Sequence, residues 1–457
     1  MKSGDYTWTA SPALGWIRML KLRNLFNRHR NARWALADQS VVSGANFVTG
    51  ILLARFLGPE MFGLYVLLQA VLLYVNSFQG ALIFQPMMSA APQYIDNDQR
   101  YSYLRGVFSL QILLTLTLAV ISAILALFAD SLFGFAGLHP SIVIALTAAL
   151  IGFQLQDWQR RFYYVEEKAH LAFVNDIISY GGQVSLLLIA SFSGHLTVAN
   201  AFWIVAVSTF SAFLVGFISS RLRPLASQVR SVLRDGWRAG RDYLAAWQFQ
   251  LLGTQGVYMI GAGIVGTTAV GGVRATQGLI GPINILFQAM ENLVPIKAAR
   301  KYSTNGMPGL MHFVRRTTLL GTLMLVPILL LLCFFAHPLI HTLYGDQYLA
   351  FVSLVYWQAA YVFIQFYQRQ AFFFLRTVQA TGIVLRSGII TAAVALTVAA
   401  LTVPSLQETG LMLALLSGTG AALIYSLIAS RKTARQLHAE SCAETDATSP
   451  NIVSQSS

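Results

Sequence analysis

The sequence predicts an all-α polytopic membrane protein with about twelve transmembrane helices in two six-helix lobes, related by pseudo-twofold symmetry along the membrane normal. Three observations predict this class. Of 457 residues, 56% are hydrophobic and only 11% charged, with a mean hydropathy of +0.59, whereas soluble domains carry about 25% charged residues. Apolar runs near the ~20 residues needed to cross a bilayer recur along the chain. Landmarks of the first half return in the second at a nearly constant offset. This composition excludes a soluble enzyme. The two cysteines, Cys333 in an apolar run and Cys442 in a polar one, build no disulfide framework.

Residues 1–33 form a basic segment carrying Lys2, Arg18, Lys21, Arg23, Arg28, Arg30 and Arg33. Its single apolar stretch is broken by Arg18, which is not the pattern of a cleavable signal peptide. Twelve spans follow, at about 34–57, 63–88, 106–128, 138–156, 171–192, 198–220, 243–266, 270–296, 317–336, 348–368, 384–403 and 409–430. The N-lobe is thus 34–220 and the C-lobe 243–430. Residues 221–242, rich in arginine, are expected to lie on the membrane surface as an amphipathic linker. Residues 431–457 turn to Ser, Ala, Thr and acids without apolar period, as expected of a disordered cytoplasmic tail.

The basic residues order these spans. Lys and Arg fall between alternate spans, so that 29 of the 31 lie on one side and only Arg55 and Arg274 towards the other. By the positive-inside rule both termini are cytoplasmic. The net charge of +13 is therefore topological, and no nucleic acid is expected as a partner. The opposite face has short connections, Gly58 to Phe62, Ser193 to Thr197 and Gly266 to Ala269, and no large outer domain.

The repeat has an offset of about 208 to 211 residues. Gly58, Gly63 and Gln69 fall on Gly266, Gly271 and Gln277, and Pro86 on Pro295. Leu132-Phe133-Gly134 falls on Leu343-Tyr344-Gly345, and Gln159-Arg160 on Gln368-Arg369. Six spans per half give both halves one orientation, an arrangement used by transporters that rock around a midplane site.

The opening of span 1, Asp38-Gln39-Ser40 through Ser43-Gly44 and Asn46-Phe47, runs into Leu52-Leu-Ala-Arg55-Phe-Leu-Gly58-Pro59-Glu60-Met-Phe62-Gly63-Leu-Tyr65. It resembles the start of the bacterial polysaccharide (O-antigen type) lipid-linked oligosaccharide flippases, in the multidrug/oligosaccharidyl-lipid/polysaccharide exporter superfamily. The resemblance implies a V-shaped pair of lobes with spans 1, 2, 7 and 8 lining a central cavity. It also implies a flippase of the bacterial inner membrane that moves undecaprenyl-diphosphate-linked oligosaccharide outward by alternating access, for exopolysaccharide, O-antigen or capsule biosynthesis. Its expected partners are the lipid-linked oligosaccharide, membrane lipids, and a polysaccharide polymerase with its export machinery. A multidrug extrusion antiporter of the same superfamily is the alternative. A membrane glycosyltransferase or polymerase is a third reading, which the short outer loops disfavour.

Polar groups inside a bilayer usually face a bundle interior or a wet cavity. In span 8, Arg274, Gln277, Gly281, Asn284, Gln288, Glu291 and Pro295 recur at alternating steps of three and four, which puts them on one helix face. Asn46 in span 1, Gln69 and Asn76 in span 2, and Gln255 in span 7 extend the same reading. These groups line a cavity or serve as interhelical glue. Arg274 can grip a diphosphate with a bidentate guanidinium, or it snorkels to the outer headgroups. Asp38 and Glu291, towards the cytoplasmic ends, either exchange H+ or Na+ or form static ion pairs. Arg55, Asp176 and Arg386 read as structural or interfacial. Glycines of span 7 with Pro282 and Pro295 of span 8 suggest a hinge. Nothing has metal-ligand or catalytic spacing, and no cofactor is expected.

Overall fold

The computed structural model describes residues 12–94, 96–128, 139–220 and 222–448. Within them the regular elements are all helical. In chain order they are α1 (Pro12–Gln79), α2 (Gln85–Ala90), α3 (Asn97–Leu127), α4 (Pro140–Val165), α5 (Ala169–Asp176), α6 (Gly182–Phe192) and α7 (Val198–Ser220). There follow α8 (Val229–Leu251), α9 (Val257–Val265), α10 (Thr267–Gly278), α11 (Gly281–Phe334), α12 (Ala336–Tyr344), α13 (Val352–Thr377) and α14 (Thr381–Thr448).

Among the described residues, eight helical stretches are long and apolar enough to cross a membrane. Two of them, Arg33–Gln93 and Gly382–Leu437, each hold two predicted spans. Spans 7 and 8 are not among these eight. The nine-residue α9 follows a π-helical turn at Leu252–Gly256, and the twelve-residue α10 breaks before α11. Long helices fold back where the backbone leaves the helical region: α1 at Gly58, α11 at Gly306 and α14 at Gln407.

The last helix departs from the sequence expectation. Helix α1 begins at Pro12, and α14 continues to Thr448 through residues expected to be a disordered tail. The stretch 431–441 is rich in Arg, Lys, Ala, Gln, Leu and Glu, which are good helix formers, and it extends a helix already anchored in the bundle. Residues 1–11 and 449–457, with Leu132-Phe133-Gly134 of the repeat, lie outside the described residues.

In the N-lobe α4 lies between α3 and α7, and α1 packs against α5. In the C-lobe α14 packs on α13 and α9, and α11 on α13. A large apolar core runs through both lobes, from Leu53 and Phe202 to Tyr348, Phe366 and Leu411. Smaller cores sit at the basic end of each lobe, around Phe108, Trp158 and Phe162 and around Leu310 and Phe374.

The lobes meet along α1 and α10. Gly58 (φ 77°, ψ 168°) and Gly266 (φ 94°, ψ 171°) share a conformation open to glycine and costly to other residues. These are the repeat-equivalent positions at the short-connection end. Just beyond them, a methyl on Gly63 would collide with the backbone oxygen of Thr267, and one on Gly271 with that of Pro59. The contact is reciprocal, as an isologous interface requires. Close by, Arg55 Nη1 donates to the Thr342 carbonyl at 2.6 Å, and Gln347 Nε2 donates to the Arg55 carbonyl at 2.9 Å. Arg55 therefore joins the lobes at this end. Towards the opposite end, α8 reaches back onto the N-lobe, where Gln248 Nε2 donates to Ser77 Oγ at 2.7 Å.

Candidate functional site

Helix α4 continues nine residues past the predicted end of span 4, because Trp158, Phe162, Tyr163 and Val165 keep an apolar face buried. Gln156, Arg160 and Tyr164, at steps of four, then share another face of α4. Arg160 Nη2 donates to Asp38 Oδ2 of α1 at 2.8 Å, and Arg160 Nε lies 2.8 Å from Asp176 Oδ2 of α5. Tyr164 donates to Asp38 Oδ2 at 2.6 Å. Gln156 Nε2 donates to Asp176 Oδ1 at 2.8 Å and to Asn175 Oδ1 at 2.9 Å.

Both carboxylates are fully buried, and the guanidinium is 16% exposed. Two acids thus share one arginine. Burying a charge is costly unless it is paired, and Arg160 neutralises one of the two. The neighbouring Asp157 is separately matched by Arg161 at 3.6 Å. Asp176, which the sequence placed at the interface, is instead sealed inside the N-lobe. The sequence reading missed Arg160, Tyr164, Gln156 and Asn175. The signal was available in the apolar period running from Trp158 to Val165, which keeps the Arg160-Arg161 pair inside a helix.

The repeat-equivalent Arg369 also holds an acid of its own lobe. It pairs with Glu291 of α11, and its guanidinium sits 4.9 Å from the Phe287 ring centroid. This pair is more open than the N-lobe cluster, with side chains 35% and 37% exposed. Asp38 and Glu291 are therefore both ion-paired, one buried and one accessible.

Arg274 lies on α10. Its Nη1 donates to Gln277 Oε1 at 2.6 Å, three residues along, and Tyr258 of α9 donates to the same oxygen at 3.0 Å. Tyr65 of α1, buried and stacked on Phe202 at 4.9 Å, is within electrostatic reach of the guanidinium. Among the described residues, no carboxylate pairs with Arg274. It is a half-buried cation at the junction of the lobes, held by neutral groups.

The remaining residues of the predicted stripes scatter. Asn46 and Asn284 are exposed, while Gln69 and Asn76 are half-buried. The Asn76 side-chain oxygen is buried without a hydrogen-bond partner. Gln255 is buried in the π-helical turn before α9. The Gln288 side chain lies outside the described residues. Glycines 253, 256 and 261 abut Thr391, Leu396 and Leu411 of α14, a close helix packing.

The fold is shared with known transporters. An inward-facing multidrug resistance MATE family transporter of the MOP superfamily superposes with a TM-score of 0.71 at 17% identity, over 88% of this chain and 99% of that one. Lipid II flippase MurJ, in an inward closed conformation, gives 0.65 at 11% identity over 93% and 94%. An outward-facing MATE family transporter gives 0.59 at 15% identity over 90% and 96%. A comparison with curated proteins finds no match to the sequence. Residues 52–353 match the family described as polysaccharide biosynthesis protein, and the chain belongs to that family, with a fold similar to that of these transporters.

Proposed function

We propose that the protein is a flippase that carries undecaprenyl-diphosphate-linked oligosaccharide from the inner to the outer leaflet of the bacterial inner membrane. The observation that carries this reading is Arg274, a guanidinium at the junction of the lobes with no carboxylate against it among the described residues. A cation left without an acid suits an anionic headgroup. A carrier of cationic drugs is better served by an acid there. The lobes approach backbone to backbone at the short-connection end, which we read from the charge distribution as extracytoplasmic, so cargo enters from the cytoplasmic side. Gln277 and Tyr258 aim the guanidinium, and Asn284, Asn46, Gln69 and Asn76 offer hydrogen bonds along the path.

The Asp38–Arg160–Asp176 cluster supplies the coupling in this reading. With both acids ionised it carries one surplus negative charge, which a single proton or Na+ cancels. Asp38 sits on α1, which also makes the lobe contact, so a change in its pairing acts on the element that closes the path. Glu291, accessible at its pair with Arg369, is a second place where a cation can exchange.

Loss of the protein is expected to leave lipid-linked repeat units in the inner leaflet and to abolish an exported polysaccharide. Proteoliposomes given a lipid-diphosphate oligosaccharide and an impermeant leaflet probe decide between the readings. Movement of the lipid-linked sugar supports the flippase, and movement of cationic drugs without it establishes the antiporter instead.

A further inference from the structure

A cavity opens in the flank of the N-lobe. It occupies about 260 Å³ between α3, α4 and α7, walled by Phe108 and Ile112, by Ile151 and Leu155, and by Phe213 and Phe217. On α3 the lining residues Phe108, Ile112 and Thr115 follow at steps of four and three. Arg105 continues that face by one turn towards the basic end of the lobe. At ~1.5 Å rise per residue it stands about 4.5 Å beyond Phe108 along the axis.

The chain after α7 is strapped across this end. Arg105 Nε donates to the Arg223 carbonyl at 2.9 Å, and Leu225 N–H donates to Ser109 Oγ at 2.6 Å. Pro224 thereby becomes the end wall of the cavity, and the Arg223 side chain stands exposed at its rim. Among the described residues, neither Arg105 nor Arg223 has an acid partner. Two unneutralised guanidiniums therefore stand at the head of an apolar groove whose rim residue Leu116 is half exposed to the lipid side.

We propose that this groove binds an anionic phospholipid, its acyl chain between α3, α4 and α7 and its phosphate against Arg105 and Arg223. An apolar groove alone accepts any chain, whereas paired guanidiniums select a phosphate. The basic end of the lobe faces the leaflet where anionic lipids attract such residues. A phospholipid is favoured over the transported lipid because the groove opens on the outer flank, away from the α1–α10 contact and Arg274. The proposal does not depend on what the protein transports.

The test is native mass spectrometry of the delipidated full-length protein, with phosphatidylglycerol, phosphatidylcholine or undecaprenyl phosphate added back. Phosphatidylglycerol is expected to be retained about thirtyfold better than phosphatidylcholine, from roughly 1 kcal/mol for each of the two arginines at the surface. Arg223→Gln, which removes no contact of the fold, should lose part of that preference, and Arg105→Gln with Arg223→Gln nearly all of it. Ile112→Trp, which fills the groove, should lower retention with the arginines intact, while Arg315→Gln should change nothing. Equal retention of the two phospholipids, or a preference unmoved by Arg223→Gln and Ile112→Trp, overturns the proposal. Displacement of phosphatidylglycerol by equimolar undecaprenyl phosphate assigns the groove to the cargo and overturns it as well.

Discussion

Gly63 and Gly271 lock the two lobes together reciprocally: each presents its bare Cα to the backbone oxygen of the residue four positions before the other, Thr267 and Pro59. Two helices approach this closely only where no side chain intervenes. Because the contact obeys the pseudo-twofold relation, one small residue type at two equivalent positions joins the lobes at this end.

Gly63→Ala and Gly271→Ala are each expected to weaken this closure, since a methyl meets backbone that cannot move aside. Overpacking of about 1–3 kcal/mol is enough to shift the lobes towards the state open at that end. Spin labels at Met61→Cys and Thr268→Cys, with the native cysteines replaced, should show a longer distance population in either variant. Gly263→Ala, with open space around it, is the control. An unchanged distance distribution removes the glycine pair as the closing element.

In the N-lobe cluster, Arg160→Ala leaves Asp38 and Asp176 buried without a counter-charge, at a cost of about 3–5 kcal/mol. Asp38→Asn leaves one acid to one arginine and should be folded and abundant, yet unable to respond to the driving ion. Thermal unfolding in detergent and ion-driven uptake separate the two. Normal driven transport by Asp38→Asn excludes the cluster from coupling.

Glu291→Gln should behave differently, because its pair with Arg369 is a third exposed and such pairs contribute only about 0–1 kcal/mol. Its melting temperature should stay close to the parent's while transport falls. Destabilisation matching that of Arg160→Ala contradicts this division.

Cysteines at Ser3 and Ser457 should resist an impermeant thiol reagent in intact cells and react after permeabilisation. Labelling of either in intact cells overturns the assignment of the closed end as extracytoplasmic.

The repeat was legible because glycine and proline at fixed offsets mark positions where only those residues fit, as at Gly58 and Gly266. Arg274 and Gln277 were legible for a similar reason, since a three-residue step fixes a shared helix face. The Arg160 cluster was not. Its members come from three helices, with Asp38 and Arg160 separated by 122 residues, and no periodicity within one helix records a contact between helices. Hydropathy also ended span 4 nine residues before the helix ends, since Arg160 and Arg161 depress any window that contains them. The buried side chains around them hold the helix together regardless.

Arg274 offers the most direct test of the central claim, by leaflet-resolved translocation of a lipid-diphosphate oligosaccharide in proteoliposomes matched for protein content. Arg274→Lys keeps the charge and loses the planar fork, and Arg274→Gln keeps much of the size and loses the charge. The account predicts transport by the parent, reduced transport by Arg274→Lys and none by Arg274→Gln, with all three equally folded. Parent-like transport by Arg274→Gln would contradict it.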